Sequence, residues 1–134
     1  MAFIFIAIAA IIAALSVALG AFAAHGLQQH LSAYSLDVFK TAVQYQFIHA
    51  LALFGLGIFL LVLSQNNTAD VPTSLVIAGV AWLVGILLFS GSLYGLSLLQ
   101  WRWFGPVTPL GGICFIIGWI SLAVGSWQAH KSLF

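Results

Sequence analysis

Long uncharged runs, separated by short polar stretches, dominate the hydrophobic pattern of this chain. Four such runs cover about residues 2–24, 41–63, 74–99 and 108–127. A transmembrane helix needs about 20 apolar residues, because each residue rises about 1.5 Å through a hydrocarbon core about 30 Å thick. Each run reaches that length. The pattern therefore predicts one all-α membrane domain over residues 1–134, with four transmembrane helices in a compact antiparallel bundle.

The stretch between the first two runs, residues 25–40, is the most polar part of the chain. Leu27, Leu31, Tyr34 and Val38 recur within it at spacings of three and four residues. Such spacing is typical of an amphipathic helix that lies in the plane of the membrane interface. We therefore predict a short interfacial helix after the first span.

The composition indicates a protein immersed in lipid, since 63% of the residues are hydrophobic and only 4% are charged. Soluble domains carry roughly a quarter charged residues, so these few charges could not build a water-facing surface. The lipid bilayer is thus the first partner that the sequence predicts. The formal net charge is +1, without a basic patch, so no nucleic-acid partner is expected. Cys114 is the only cysteine, which excludes a disulfide within the chain.

Polar side chains inside the predicted spans lie near helix ends that face one side of the membrane. In an antiparallel bundle, the end of the first and third spans and the start of the second and fourth share that side. The polar residues near these ends are His25, Gln44, Tyr45, His49, Ser90, Ser92, Tyr94 and Thr108. Polar groups within a bilayer need partners. The sequence therefore predicts that these side chains form one polar cluster between the helices.

Three interpretations of this cluster are open. Neutral side chains in lipid hydrogen-bond to one another, so the cluster can be a network that joins the helix ends. It can instead bind a small molecule, such as a lipid head group or a quinone. Imidazole suits zinc, copper and haem iron, so His25 and His49 form the third candidate, a metal or haem site. Because two histidines without a third ligand support such a site only weakly, we expect no metal and no cofactor.

The sequence contains no arrangement of residues that is typical of catalysis. It has no H-E-x-x-H motif, no paired carboxylates and no Ser/His/Asp set, so we expect a non-enzymatic protein. Ala10, Ala14 and Ala18 recur every four residues, and small residues at this spacing let membrane helices pack closely. This pattern favours an accessory or scaffold subunit that binds a larger membrane complex, lipid or a second copy of itself.

Two other functions are alternatives. The first is a small-solute transporter or channel formed by an oligomer, although a conducting path usually has polar residues along its whole depth. Here the polar residues of the predicted cluster stop a few turns from one membrane face. The second alternative is a membrane subunit that binds a quinone, a haem or a metal through the polar cluster.

Four blocks of the chain, in order, carry a family resemblance. They are ALGAFAAHGL at residues 18–27, TAVQYQFIHALA at 41–52, LFSGSLY at 88–94, and TPLGG at 108–112 followed by Gly118-Trp119. Together they resemble domain-of-unknown-function family 423, whose members are small four-span proteins of bacterial inner membranes, with a eukaryotic four-span relative.

This resemblance implies a four-span fold, a bacterial inner membrane and both termini in the cytoplasm, and it implies no activity. The chain departs from the family pattern at two places. Ala23 replaces the second glycine of the usual first block. The middle loop carries Asp70 without a Lys or Arg, whereas family members tend to be basic there.

Overall fold

The computed structural model describes residues 1–65 and 71–133, except for the side chains of Arg102, Ser132 and Leu133. The middle loop at residues 66–70, including Asp70, lies outside the described residues. The orientation of the termini, which depends on the charge of that loop, therefore stays a prediction.

The first two helices are α1, Ala2–His25, and α2, Ala33–Gln65. Helix α2 has 33 residues and is therefore about 50 Å long, which exceeds the thickness of the hydrocarbon core. The first turns of α2 consequently extend beyond the predicted span 41–63 toward the head-group region.

The separate interfacial helix that we predicted for residues 25–40 is not formed. The chain turns after His25, and residues 33–40 are the first two turns of α2. The Ser32 hydroxyl accepts a hydrogen bond from the Ser35 backbone N–H at 3.1 Å, which is a helix N-cap and starts α2 there. The four apolar positions do not share one face, because Leu27 is buried with Phe39 in a small core cluster while Tyr34 is exposed.

The third span consists of three consecutive elements. Helix α3, Thr73–Gly85, continues into a π-helical turn, Ile86–Ser90, and then into α4, Gly91–Leu99. After a 3₁₀ turn at Arg102–Phe104, helix α5 runs over Val107–Leu133. Four helical units among the described residues, with α3 to α4 as one unit, are long and apolar enough to cross a membrane. This finding confirms the predicted all-α membrane fold.

Helix α2 and the α3–α4 unit occupy the middle of the bundle, while α1 packs mainly against α2 and α5 against α3. In the most apolar stretch of each span, 39% of the residues of α2 and of α3–α4 are buried, but only 17% of those of α1 and of α5. The main core includes Trp82, which is fully buried, together with Leu53 and Leu75. Helices α1 and α5 therefore each present a broad face outward.

Glycines allow α5 to approach the α3–α4 unit closely. A Cβ atom at Gly111 would overlap with the backbone of Phe89 in the π turn, and one at Gly118 would overlap with the indole of Trp82. By contrast, a Cβ at the next residue, Gly112, would be 4.0 Å from its nearest neighbour, the Phe89 ring. The contact between α5 and the π turn thus depends on the missing side chain of Gly111.

We expect Gly111→Ala to lower the free energy of unfolding by about 1–3 kcal/mol, because overpacking forces backbone to shift. Gly112→Ala is the matched control, and it should leave stability unchanged or slightly raised, since alanine favours helix over glycine. Thermal unfolding of both variants in the same mild detergent, followed by circular dichroism, measures the difference. Equal melting temperatures for the two variants would contradict the close packing at Gly111.

Candidate functional site

His49 of α2 is buried, with 3% of its surface exposed, and both of its ring nitrogens are hydrogen-bonded. Its Nε2 lies 3.2 Å from the indole Nε1 of Trp119 on α5, and its Nδ1 lies 2.8 Å from the backbone oxygen of Tyr45. An indole N–H can only donate and a carbonyl can only accept. The His49 ring must therefore be neutral, with its proton on Nδ1, and it joins α2 to α5.

Aromatic rings surround this hydrogen-bonded pair. The Phe115 ring of α5 stacks on His49 with a centroid separation of 3.5 Å and an interplanar angle of 8°. Trp82 packs edge-on against Trp119 at 4.8 Å. Tyr45, one turn before His49, packs against Phe89 at 4.6 Å. The polar pair therefore lies among aromatic rings, with His49 buried and Trp119 partly exposed.

The π turn places two side chains of the third span against α2. Its Gly91 N–H donates to the Ile86 oxygen five residues earlier, so this turn holds one more residue than an α-helical turn. Ser90 is fully buried and donates a hydrogen bond of 2.8 Å to the backbone oxygen of Ala42 on α2. The neighbouring Phe89 packs against Tyr45. Because of the extra residue, the consecutive side chains of Phe89 and Ser90 both contact α2.

A second polar link joins three helices. The Tyr94 hydroxyl of α4 donates to Gln46 Oε1 of α2 at 2.9 Å, and Gln46 Nε2 donates to the Ile12 backbone oxygen of α1 at 3.3 Å. Gln46 is 6% exposed, so its amide group is satisfied inside the bundle. This link holds α1, α2 and α4 in register.

A third link connects the ends of helices near one membrane face. The hydroxyls of Ser92 and Thr108 lie 2.7 Å apart, and Thr108 also donates to the Phe104 backbone oxygen at 3.2 Å. Gln100, which follows α4, donates to the Ser35 hydroxyl at 3.0 Å. These bonds tie the ends of α4 to the beginnings of α5 and α2.

The structure divides the predicted polar residues into three groups. His49, Ser90, Ser92, Tyr94 and Thr108 each form a hydrogen bond to another part of the chain, but in separate links and not in one cluster. Tyr45 and Gln44 are exposed on α2, and their side chains form no hydrogen bond among the described residues.

His25 is exposed at the end of α1, whereas His49 is buried. The two side chains face different surroundings, because His25 lies on the outward side of its helix while His49 lies within the bundle. Among the described residues, no three His, Cys, Asp or Glu side chains come together.

Sequence reasoning missed Gln46, Phe115 and Trp119 as members of these links. Gln46 carried a usable signal, since a primary amide in the middle of an apolar span needs a partner. Trp119 was less visible, because tryptophan is also common at membrane interfaces and its partner His49 is 70 residues away in the chain.

A groove between α2 and α5 lies beside the His49–Trp119 pair. Its volume is about 600 Å³. It is lined by Gln44, Tyr45, Ile48, His49, Phe89, Pro109, Gly112, Ile113, Phe115, Ile116 and Trp119. Trp119 also lines a second groove of about 330 Å³ farther along the same helices. The larger groove, which contains Tyr45, therefore ends at the His49–Trp119 hydrogen bond.

The four helical units and their internal hydrogen bonds define a multi-pass integral membrane protein. The sequence model of the family described as "Protein of unknown function (DUF423)" matches residues 19–112. The chain belongs to this family.

Its relatives include UPF0382 membrane proteins of several bacteria. The Haemophilus influenzae protein is 47% identical over 117 residues, covering 87% of each chain. YwdK of Bacillus subtilis is 45% identical over 123 residues, covering 92% of this chain and 95% of YwdK. SSP2132 of Staphylococcus saprophyticus is 42% identical over 127 residues, covering 93% and 98%. No solved structure matches the chain.

We expect ¹⁵N NMR of histidine-labelled protein to show His49 with a protonated Nδ1 and an unprotonated Nε2. The reason is that Trp119 donates to Nε2 while the Tyr45 carbonyl accepts from Nδ1. A His49→Gln variant assigns the signal among the four histidines. In Trp119→Phe the Nε2 resonance should shift, since its donor is lost. A protonated Nε2 in the unmodified protein would contradict the Trp119 bond.

A double-mutant cycle tests the link between Tyr94 and Gln46. We expect Tyr94→Phe and Gln46→Leu to be coupled by about 0.6 kcal/mol, and by no more than about 1.7 kcal/mol, as for hydrogen bonds between membrane helices. Reversible unfolding in mixed micelles supplies the four free energies. Tyr34→Phe is the control for the first change, because Tyr34 is 72% exposed and should show no coupling to Gln46.

Proposed function

We propose that this protein is a non-enzymatic accessory subunit that binds a transmembrane helix of a larger membrane complex through the outward face of α1. A row of alanines on that face carries the proposal. All members of the row are exposed: Ala7, Ala10, Ala14, Ala18 and Ala21. The opposite side of α1 packs on the bundle through Phe5, Ala9, Ser16 and Ala23.

The shape of this face suits a second helix. Helices in lipid gain little from burying apolar area and associate where small side chains let their backbones approach. Beside the alanine row stand large side chains, with Ile4 60%, Ile11 62% and Leu15 54% exposed. They form a ridge along a shallow groove of alanines, and a partner helix can pack into that groove.

A second row of small residues, which lies on α5, is used for internal packing. On α5, Gly118 lies against Trp82 and Gly125 against Leu75, so this row forms the interface with α3. Because the small residues of α5 are covered by α3 while the alanines of α1 are exposed, the α1 row is the one that a partner helix can reach.

The internal hydrogen bonds also favour a scaffold over a conducting pore. They join α1, α2, α4 and α5 and thereby oppose relative movement of the helices. Among the described residues of the second span, the charged groups are Asp37 and Lys40, in the first two turns of α2. Deeper in the bundle, Ser90, Tyr94 and Trp119 each donate a hydrogen bond to another helix, and such cross-links between helices do not form a path for an ion or a solute.

We expect Ala14→Leu to release the protein from its native complex, because the larger side chain prevents close approach of the partner backbone. Membranes that express the protein at natural levels are dissolved in mild detergent, and its size is followed by native gel electrophoresis. The control is Ala123→Leu, the same change at an exposed position of α5, which should leave the complex intact.

Cysteine cross-linking identifies what lies against α1. Since Cys114 is the only cysteine, Cys114→Ala provides a background for Ala14→Cys and Ala123→Cys. A cross-link from position 14 to a different membrane protein supports the proposal. A cross-link only to a second copy would show a homo-oligomer instead, and migration as a free protein before any mutation would contradict an accessory role.

A further inference from the structure

We infer that the groove between α2 and α5 binds the head ring of a membrane quinone. This inference concerns other helices than the α1 face and does not rest on the accessory role. The groove volume of about 600 Å³ falls within the range of small-molecule sites. Its two walls belong to helices that meet here through side chains, such as the stacked rings of His49 and Phe115.

The walls of the groove favour a flat, apolar ring. Tyr45, Phe89, Phe115 and Trp119 all line it, and aromatic faces bind planar rings by offset or edge-on stacking. Gly112 and Pro109 line the α5 side, so that wall carries little side-chain bulk near the start of the helix. Among the described residues, the lining contains no charged side chain, so these residues offer a charged ligand no counter-ion.

The unpaired polar groups in the groove point to a ligand that accepts hydrogen bonds. Tyr45 and Gln44 line the groove, and Gln44 also lines a second groove beside α1, while neither side chain has a hydrogen-bond partner among the described residues. A phenol and an amide within a membrane span gain from an acceptor. His49 cannot serve as an additional acceptor, because its Nε2 already receives the Trp119 N–H. The groove thus offers donors to carbonyl oxygens, which are the polar atoms of a quinone ring.

The glycine pattern keeps the groove open. At Gly111 the backbone of Phe89 occupies the space of a side chain, whereas at Gly112 a Cβ would meet only the Phe89 ring at 4.0 Å. A larger side chain at Gly112 can therefore be added without disturbing the helix contact, and it would extend into the groove. This position provides a substitution that blocks the ligand and leaves the fold intact.

The test uses the full chain in nanodiscs of phosphatidylcholine, titrated with decylubiquinone. We expect saturable quenching of tryptophan fluorescence, because Trp119 lines the groove. Gly112→Leu should abolish the saturable part. Tyr45→Phe, which keeps the ring and removes the hydroxyl, should weaken binding about twofold to tenfold, the contribution of one hydrogen bond. Native mass spectrometry of the same samples should show the quinone retained by the unmodified protein.

Two matched controls should bind like the unmodified protein. Gly91→Leu adds the same side chain where a Cβ has no neighbour within 4 Å, and Tyr34→Phe removes a hydroxyl that is far along α2 from the groove. Equal quenching in the unmodified protein and in Gly112→Leu would overturn the inference. A phospholipid that stays bound to the unmodified protein, is lost from Gly112→Leu and is not displaced by decylubiquinone would also overturn the inference. If Gly112→Leu fails to fold, equal affinities of Tyr45→Phe and Tyr34→Phe would overturn it.

Discussion

Polar side chains within a bilayer must find their hydrogen-bond partners inside the protein, because the hydrocarbon core holds no water to replace them. In this chain that requirement determines how the helices are joined. Ser90 donates to the backbone of Ala42, Tyr94 to Gln46, and Trp119 to His49. Each bond connects residues that are at least 48 positions apart in the chain. The polar residues of the spans thus act mainly as cross-links, where apolar packing alone would specify the helix arrangement weakly.

The π turn makes two of these contacts compatible. A regular helix separates consecutive side chains by about 100°, and one inserted residue changes which side chains face a given neighbour. In the third span this change lets Ser90 reach the α2 backbone while Phe89 packs on Tyr45. The same turn receives α5, whose Gly111 lies against the Phe89 backbone. One local irregularity therefore contacts both α2 and α5 beside the groove that they form.

The outward face of α1 and the groove between α2 and α5 differ in chemistry. The outward face of α1 is a row of alanines beside a ridge of large aliphatic side chains, a shape that suits another helix. The groove between α2 and α5 has aromatic walls and two polar side chains, Tyr45 and Gln44, that have no hydrogen-bond partner in the part of the chain that the structure describes. Because the two surfaces belong to different helices, the proposed partner helix and the proposed small ligand do not compete for the same contacts.

The sequence by itself determined the four membrane helices. The length and hydrophobicity of a run are local properties, and they decide whether a helix is stable across the bilayer. It also identified most of the polar residues that the bundle must satisfy. Only the tertiary structure decided which of these residues form hydrogen bonds with each other. His25 and His49 look equivalent in the sequence, yet one lies on the outside of α1 and the other bonds to Trp119 inside the bundle. The sequence indicated that Gln46 needs a partner, but the partners themselves, Tyr94 and Ile12, depend on the rotation and register of helices far apart in the chain.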